Sequence, residues 1–557
     1  MKWDLIVVGA GAAGAVIAAR ASEDPDQRVL VLEAGPDYPA LDGMPEDLID
    51  GTRNSVRLHD WGIRYLPVGA PGAGGEPDGE GGEPGGRRSG AGAAAAGGGA
   101  TQRRPVHFPR GKVVGGSTSV NTTIALRGAP EDYDAWAAAG LPAWSWQACL
   151  PAFRRLERDG DFQGELHGAD GPVPIHRARP EDLVPFQAAF LEACASLGFP
   201  ACADHNDPAA TGYGPLPMNR RPWRPGGGGG GADAGSGPRA PGERWLRVSA
   251  KVAYLDPARG RPNLEIRGRV HVRRVIVERG RVAGVEVEAG GRAGVLEAAR
   301  VALCAGAIHT PGILVRSGVG PRETLERLGV PVVADVPVGA RLLDHPATLI
   351  VLVAREGVAR FEDPMIQGAL RYTAQGSQDR DDMILQPLSF LQVEHAPLLL
   401  GLAAVVQKPY GRGRLRFTSA DPHAQPVITP DFLTDPRDRS RLVEGVLLAK
   451  AVADTEVIRR VSYGVIYPQA EELEGAAAVD RWIRSGCGSG FHPCGTTPMG
   501  APGDPDAVVD QHGRVPGIDG LIVADAGIMP SIPRANTMLP TLMIGERFGE
   551  WLRDRAL

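Results

Sequence analysis

Residues 4–33 have the sequence DLIVVGAGAAGAVIAARASEDPDQRVLVLE, which is typical of a dinucleotide-binding βαβ unit. Residues 4–8 are an apolar, β-branched run, and Gly9, Gly11 and Gly14 follow it in the spacing G-x-G-x-x-G. These glycines let the chain turn tightly, approach a pyrophosphate and pack a helix on the strand. The helix that follows directs its first N–H groups at the phosphates. This unit predicts the fold of the N-terminal region.

Glu33 ends the second strand of this unit, Val29–Leu32, nineteen residues after Gly14. A carboxylate at this place can accept both ribose hydroxyls and favours a free ribose over a 2′-phosphate. The βαβ unit alone leaves NAD and FAD open.

The chain has 557 residues, so we expect two domains or one domain with a large insertion. Hydrophobic residues make up 43% and charged residues 23%, as in ordinary globular proteins. A net charge of -6 provides no basic field for nucleic acid, and we expect no such partner.

Residues 1–3 lead directly into the first strand, which leaves no room for a signal peptide. Apolar runs such as Ala396 to Val406 are too short to cross a bilayer, so we expect no integral membrane segment. The expected location is cytoplasmic, and peripheral contact with a membrane is compatible with it.

Six scattered cysteines indicate reduced thiols and not a disulfide framework. Cys487, His492 and Cys494 lie close together in the sequence, but no second ligand pair at zinc spacing accompanies them. We therefore predict no metal site.

Two tracts, residues 69–104 and 225–242, consist mostly of Gly, Ala, Pro and charged residues. Such segments bury too little apolar area to offset their ordering entropy, and we predict disordered loops.

The remaining chain alternates helical and strand patterns. Helices are predicted over 129–155 and 185–197, and a hairpin over 263–288 turns at Arg279-Gly280. Residues 346–467 combine strands with a long amphipathic helix near 436–453.

Several glycine-rich or polar motifs follow strands, where ligand sites are expected. Residues 111–121 read GKVVGGSTSVN, a composition suited to contact with a flat ring system, although Ser and Thr at a helix start explain it as well. Residues 306–320 read GAIHTPGILVRSGVG and predict a helix that begins at Thr310-Pro311. Asp525 follows a strand, where it could reach a cofactor or simply form a turn.

Together these motifs resemble the glucose/methanol/choline (GMC) family of flavin oxidoreductases, including choline dehydrogenase-like members, over nearly the whole chain. Residues 111–121 and 306–320 are similar to the family's two signatures, and residues 492–500 (HPCGTTPMG) to its active-site histidine block. Residues 508–546 follow the family's C-terminal pattern in order.

The resemblance implies an α/β fold, with a Rossmann-like FAD-binding domain and a discontinuous α+β substrate domain whose antiparallel sheet is backed by helices. The predicted FAD-binding domain comprises residues 1–150, 245–345 and 495–557. The predicted substrate-binding domain comprises residues 151–244 and 346–494.

The resemblance also implies the site residues. His492 corresponds to the catalytic base and Asn536 to its partner. The implied FAD-binding residues are Gly9, Gly11, Ala12, Gly14, Glu33, Ala34, Val114, Gly116, Ser117, Asn121, Val272, Asp525, Ala526 and Thr537.

Two positions depart from the family pattern. Members that attach FAD covalently use a histidine just before the asparagine of the first signature, but this chain has Val120 there, which predicts a non-covalent flavin. His309 replaces a usual Ser or Ala of the second signature, and we interpret it as a helix-capping residue.

The expected reaction is oxidation of the CH–OH group of an alcohol to an aldehyde or ketone. A histidine can accept the hydroxyl proton at neutral pH, and hydride passes to flavin N5. The alternatives are a flavin-containing lyase that cleaves cyanohydrins and a flavin photoenzyme acting on fatty acids. Retention of His492 and Asn536 favours redox chemistry. The expected partners are a small-molecule alcohol and an electron acceptor, which is oxygen, a quinone or another redox carrier. The alcohol and the oligomeric state stay open.

Overall fold

A computed structural model describes residues 2–67, 104–224, 243–393 and 397–557. The predicted loops 69–104 and 225–242 lie almost entirely outside these ranges. The fold is mixed α/β and is built on two large sheets, each backed by helices. This confirms the predicted fold class, whereas the domain boundaries stay a prediction.

The first sheet has a parallel core of five strands: β1 (Trp3–Val8), β2 (Val29–Leu32), β3 (Leu264–Arg267), β4 (Arg292–Leu303) and β5 (Leu521–Val523). They lie in the order β3-β2-β1-β4-β5. This is the order expected of a Rossmann-like sheet.

The first half of β4 also closes an antiparallel extension. Strands Val270–Glu278 and Arg281–Ala289 form a hairpin that pairs with β4. Its turn lies at Arg279 (φ 52°) and Gly280 (φ 75°), which confirms the predicted position. Two positive φ values match the right-handed twist of the flanking strands.

Three helices cover the parallel core near its ligand-binding edge: α1 (Ala12–Ala21), α2 (Gly306–Arg316) and α3 (Met538–Arg553). Helix α1 packs on α3 and on β1. A Cβ at Gly14 would lie 1.9 Å from the Gly9 carbonyl oxygen, so only glycine lets α1 pack this closely.

The second sheet is antiparallel. Its strands, in spatial order, are Ser462–Tyr467, Pro346–Ala354, Leu399–Val406, Met383–Leu391, Gly368–Tyr372 and Gly212–Pro215, with Gly488–Ser489 pairing beside Pro346–Ala354. Helices Pro436–Asp454 and Pro185–Ser196 pack on one face of this sheet. Alternate residues on its other face line the cavity described below.

Shorter elements complete the fold. The helices are Glu46–Ile49, Pro130–Ala138, Trp146–Leu156, Asp256–Ala258, Arg322–Arg327, Glu456–Val461 and Ala476–Gly486. Two-stranded pairings join Arg64–Tyr65 with Val106–His107, Glu157–Asp159 with Val173–Ile175, Arg220–Trp223 with Arg244–Arg247, and Arg414–Arg416 with Val427–Thr429.

Two predicted helices are wrong in their bounds. The pattern over 129–155 is two helices, because Gly140 adopts φ 87° and Pro142 follows it, which ends the first helix. Helix α2 begins at Gly306 and not at Thr310-Pro311, and Pro311 lies inside it. The physical reason for the earlier start is a cap from Asp525, described below.

All six cysteines are buried free thiols. Within the described residues, no helix combines the length and the apolar character needed to span a membrane.

Candidate active site

One cavity of about 2460 Å³ is lined by both sheets. Pockets for single small molecules usually measure about 300–1,000 Å³. The cavity can therefore hold a dinucleotide and a substrate together. Fourteen of the sixteen predicted site residues line it, and Gly14 and Val114 do not.

One end of the cavity lies at the glycine turn after β1 and is lined by Gly9, Gly11, Ala12, Glu33 and Ala34. No side chain of the described residues caps the N-terminus of α1. Its first N–H groups are therefore available to an anion, as a pyrophosphate requires. A Cβ at Gly11 would meet only the Gly116 Cα, at 3.9 Å, so the turn leaves open space for such a group.

Glu33 is buried, and backbone N–H groups use part of the hydrogen-bonding capacity of its carboxylate. Its carboxylate accepts hydrogen bonds from the N–H groups of Ala10 (3.0 Å) and Gly35 (2.8 Å). Burial raises the pKa of Glu33 to about 7, although these bonds oppose the shift. Each carboxylate oxygen retains a lone pair for a ribose hydroxyl.

The loop of the first signature packs on the glycine turn. A Cβ at Gly116 would lie 2.7 Å from the Gly11 Cα, so glycine is needed for this contact. Ser117 lines the cavity beside it, whereas Val114 is fully buried behind the loop. Gly14 lies under the turn and serves packing.

Four further predicted residues, Asn121, Val272, Ala526 and Thr537, also line the cavity. The Asn121 carboxamide is held in place, since its oxygen accepts from the Thr123 N–H at 3.0 Å and its nitrogen lies 3.1 Å from the Met538 sulfur. The structure brings these residues together from segments hundreds of positions apart.

Asp525 has a structural role that neither sequence interpretation included. One carboxylate oxygen accepts from the Gly306 N–H (2.9 Å) and the Thr310 hydroxyl (2.6 Å), and the other accepts from the Gly527 N–H (2.7 Å). Asp525 thus caps helix α2 from the end of β5, which is why α2 begins at Gly306. The residue also lines the cavity.

His309 is not a helix cap, which corrects our interpretation. It lies in α2 and its ring packs against Trp61, with ring centroids 4.0 Å apart and the planes tilted by 34°. Burial lowers the pKa of His309 to about 3, so it is neutral at pH 7. Both rings line the cavity.

His492 and Asn536 meet in the cavity wall, and a second histidine joins them. His492 Nε2 lies 3.0 Å from Asn536 Nδ2, and His492 Nδ1 lies 2.9 Å from His345 Nδ1. Burial lowers the pKa of His492 well below its ordinary value, and the pKa of His345 to about 4. Both imidazoles are therefore neutral at pH 7.

The tautomers follow from these contacts. An amide nitrogen only donates, so His492 Nε2 accepts from Asn536 and carries a lone pair. The proton of His492 is then on Nδ1 and is donated to His345 Nδ1. The atom that faces the cavity beside Asn536 is consequently a base.

Asp344 organises the segment that carries this base. One oxygen of its buried carboxylate accepts from the backbone N–H groups of both His345 and His492, each at 2.8 Å. The other oxygen accepts from the Ser489 hydroxyl, which itself accepts from the Phe491 N–H at 2.7 Å. Burial raises the pKa of Asp344 to about 6, opposed by these bonds.

Arg110 holds the same segment from the other side. Its Nη2 donates to the Phe491 carbonyl at 2.7 Å. Phe491 has φ 66°, which is unfavourable for a side-chain-bearing residue, so these contacts maintain a bend that the sequence alone does not favour.

Sequence reasoning missed His345, Asp344 and Arg110. The DHP tripeptide at 344–346 stands at a turn before an apolar strand, and His345 is 147 positions from His492. Two adjacent ionisable residues, Asp344 and His345, inside an otherwise apolar stretch were the signal in the sequence that this turn belongs to a site.

Elsewhere, Glu157, Asp159 and His167 offer ligand atoms within 4.8 Å of one another. Arg127 pairs with Glu157, and Arg177 with Asp159 at 3.0 Å. Burial opposes the charge on His167, but hydrogen bonds to carboxylates outweigh it and raise its pKa to about 10. A protonated histidine among arginines makes this cluster a buried ion network.

Comparison with known proteins agrees with this geometry. The family model for the N-terminal part of GMC oxidoreductases matches residues 3–226 and 229–347, and the model for the C-terminal part matches residues 409–545. The 5-(hydroxymethyl)furfural oxidase of Methylovorus sp. (strain MP688) is 33% identical over 571 residues, which cover 100% of this chain and 99% of that protein.

Two further similarities extend over the whole chain. The oxygen-dependent choline dehydrogenase of Sinorhizobium medicae (strain WSM419) is 31% identical, over 98% of this chain and 95% of that protein. The crystal structure of pyridoxine 4-oxidase from Mesorbium loti has a TM-score of 0.81 and 28% identity, and covers 98% of both chains.

Proposed function

Because the chain belongs to the GMC oxidoreductase family, we propose that it oxidises the CH–OH group of an alcohol, with FAD as cofactor and His492 as base. The observation that carries this proposal is the 3.0 Å contact between His492 Nε2 and Asn536 Nδ2 in the cavity wall. The furfural oxidase, choline dehydrogenase and pyridoxine oxidase are each named for a substrate that bears an alcohol.

The residues present fit FAD. The uncapped N-terminus of α1 offers N–H donors to a pyrophosphate, and Glu33 offers acceptors to a ribose. Val272 lies near Glu33, since the Val270 N–H donates to the Glu33 carbonyl, whereas Asn121, Ala526 and Thr537 would lie along the flavin half. When bound, the flavin supplies the acceptor for the hydride.

His492 performs the proton transfer. When the substrate hydroxyl replaces Asn536 as the group bonded to His492 Nε2, this unprotonated nitrogen accepts the hydroxyl proton, while the carbon loses hydride with both electrons and becomes a carbonyl carbon. Asn536 Nδ2 donates to the same oxygen and stabilises the negative charge that develops on it. His345 accepts from His492 Nδ1 and fixes the ring orientation.

We also propose that FAD is held without a covalent bond. Val120, which occupies the position of the linking histidine in covalent members, lines the cavity and cannot form that linkage. Acid precipitation should therefore release the flavin into the supernatant. Yellow colour that stays with the precipitate would contradict this assignment.

An anaerobic absorbance experiment tests the reaction. Addition of an alcohol should bleach the flavin band, whereas a lyase of the same fold would leave it oxidised. In stopped flow, His492→Ala should lower the rate of flavin reduction by about 10²- to 10⁴-fold, the usual contribution of a general base. Asn536→Ala should cost less, because it mainly orients the substrate.

His512→Ala is the matched control, since His512 does not line the cavity. It should retain the wild-type rate. Near-normal reduction by His492→Ala, at full flavin occupancy, would exclude His492 as the base.

A further inference from the structure

The half of the cavity next to the antiparallel sheet forms a chamber with an apolar wall. Alternate positions on three neighbouring strands face it: Ala347, Leu349, Val351, Leu388, Ala403 and Val405. The strand Pro346–Ala354 begins directly after His345, so this wall extends outward from the histidine pair.

The part of the chamber wall that comes from the antiparallel sheet carries no formal charge. From residue 347 to residue 491, leaving aside 394–396, the cavity lining contains no Asp, Glu, Lys or Arg. The charged residues that line the cavity come instead from residues 33–64, 104–110, 316 and 525. A cationic substrate that packs on this wall would therefore lose hydration without gaining a carboxylate from it.

The aromatic rings at the outer end of the chamber already serve a cation. The Phe361 and Phe390 rings lie 5.3 Å apart, and the Arg53 guanidinium lies 4.0 Å from the first ring centroid and 5.9 Å from the second. These rings could otherwise attract a quaternary ammonium group. Arg53, whose charge is paired with Asp50 at 2.6 Å, already occupies these ring faces, so a second cation would have to displace it.

Two uncharged amides provide the polar groups of the chamber. Gln407 is 4% exposed and lines the cavity. Ala347 pairs with Val405, so Gln407 is level with His345 at the reaction end. Gln386 pairs with Ala403, which lies four residues, or about 13 Å, from Gln407 along the strand.

We propose that the chamber selects an electrically neutral alcohol, whose apolar body packs on Leu349 and Val405 and whose uncharged polar substituent hydrogen-bonds Gln407. This inference rests on the proposed alcohol oxidation. An amide in an otherwise apolar wall favours a ligand group that hydrogen-bonds it. Moving an unpaired ion into such a wall costs several kcal/mol.

An isosteric pair of alcohols tests the charge preference in the holoenzyme. Choline and 3,3-dimethylbutan-1-ol have the same shape and differ in replacement of the ammonium nitrogen by carbon. In anaerobic stopped flow, we expect the neutral alcohol to reduce the flavin with at least about tenfold higher kred/Kd. Equal or greater efficiency with choline would overturn the inference.

A charge placed at Gln407 should reverse the preference. At pH 9, Gln407→Glu should raise the choline-to-neutral ratio of kred/Kd by at least about tenfold, since the carboxylate pairs with the ammonium. Gln392→Glu makes the same change at an exposed position of the mouth, and should leave the ratio within about twofold. Equal effects of the two variants would also overturn the inference.

Failure of the proposed function has a different signature. If none of choline, 3,3-dimethylbutan-1-ol, benzyl alcohol and 5-(hydroxymethyl)furfural bleaches the flavin, alcohol oxidation itself is wrong and the inference falls with it. If alcohols bleach the flavin but choline is preferred, only the inference is wrong. Should Gln407→Glu fail to fold, the wild-type comparison still decides.

Discussion

A single buried carboxylate, Asp344, holds the backbone on both sides of the His345–His492 contact. Its pKa of about 6 is raised mainly by burial, whereas the pKa of His492 is lowered well below 6.5. The titratable groups that face Asp344 are Arg110, His345, His492, Tyr65, Cys487 and Cys494, and only Arg110 is charged at pH 7. Among the groups around the histidine pair, Asp344 is therefore the one that titrates near pH 6, whereas the proposed base, His492, does not.

We predict that flavin reduction slows as the pH falls through about 6, and that Asp344→Asn removes this limb. At pH 8 the variant should reduce flavin about 10- to 100-fold more slowly, because a displacement of about 1 Å at the reacting atoms has effects of this size. Rates between pH 5 and pH 9 measure both effects.

The sign of the linkage separates this loss of rate from unfolding. The folded pKa of Asp344 lies above the unfolded value of about 3.9, so its protonation between about pH 6 and pH 4 stabilises the fold. Asp438→Asn is the matched control, since Asp438 is also a buried carboxylate that accepts loop N–H groups, those of Tyr410 and Gly411, but lies outside the cavity wall. An acid limb that persists in Asp344→Asn would assign it to another group.

For single residues, the sequence predicts which side chains belong to the site better than it predicts which groups these side chains contact. His492 and Asn536 stand in motifs, and both line the cavity. His345 and Asp344 act through contacts that span 147 and 148 positions, and no local pattern encodes such a contact. Asp525 illustrates the same limit, because its main partners are 219 and 215 positions away.

Helix α2 shows how a distant contact changes an element. Pro311 has no N–H, so the Ala307 carbonyl lacks its partner inside the helix. The Thr496 hydroxyl donates to this carbonyl at 2.6 Å. From the sequence, Pro311 predicts the first turn of a helix. The helix begins earlier, at Gly306, only because Asp525 and Thr496 form hydrogen bonds with its backbone.

We predict that Thr496→Val destabilises the protein by about 1–3 kcal/mol, because it leaves the buried Ala307 carbonyl without a donor. In a Pro311→Ala background the cost should fall by at least about 1 kcal/mol, since residue 311 can then donate to Ala307. Melting temperatures of the four proteins, at equal flavin occupancy, measure this coupling.

Thr497→Val is the control for this cycle. The Thr497 hydroxyl is buried and has no hydrogen-bond partner among the residues that the structure describes, so its loss should leave the melting temperature unchanged or raise it. Additive effects of Thr496→Val and Pro311→Ala would contradict the shared role of the Ala307 carbonyl.

The whole molecule depends on joining two sheets whose strands are scattered along the chain. Strand order in the parallel core follows from the βαβ unit and its glycine fingerprint. The sequence does not reveal that Gly212–Pro215 forms the edge of the antiparallel sheet beside Gly368–Tyr372, because four residues carry too little periodicity. Polar contacts between these parts are even less visible in sequence.

Asp132 is the main such contact near the active site. Its carboxylate accepts from Lys408 Nζ at 2.7 Å, from Arg534 Nε at 3.1 Å and from the Arg534 N–H at 2.8 Å. Lys408 follows the strand Leu399–Val406, and Arg534 stands two residues before Asn536. Asp132 thus ties helix Pro130–Ala138 to the antiparallel sheet and to the segment that carries Asn536.

We predict that Asp132→Asn destabilises the protein by about 3–5 kcal/mol, because it leaves two cations without their shared carboxylate. Burial alone would raise the pKa of Asp132, but Lys408 and Arg534 outweigh it and hold the pKa below its ordinary value. Its stabilising contribution is therefore present above about pH 3.9 and is lost as the pH falls below that value.

Asp134→Asn, on the solvent side of the same helix, should cost less than about 1 kcal/mol. Melting temperatures of both variants at pH 7 and at about pH 3, below the unfolded pKa, measure these differences. The deficit of Asp132→Asn should narrow only toward the lower pH, and equal deficits in the two variants would show that Asp132 does not join the sheets.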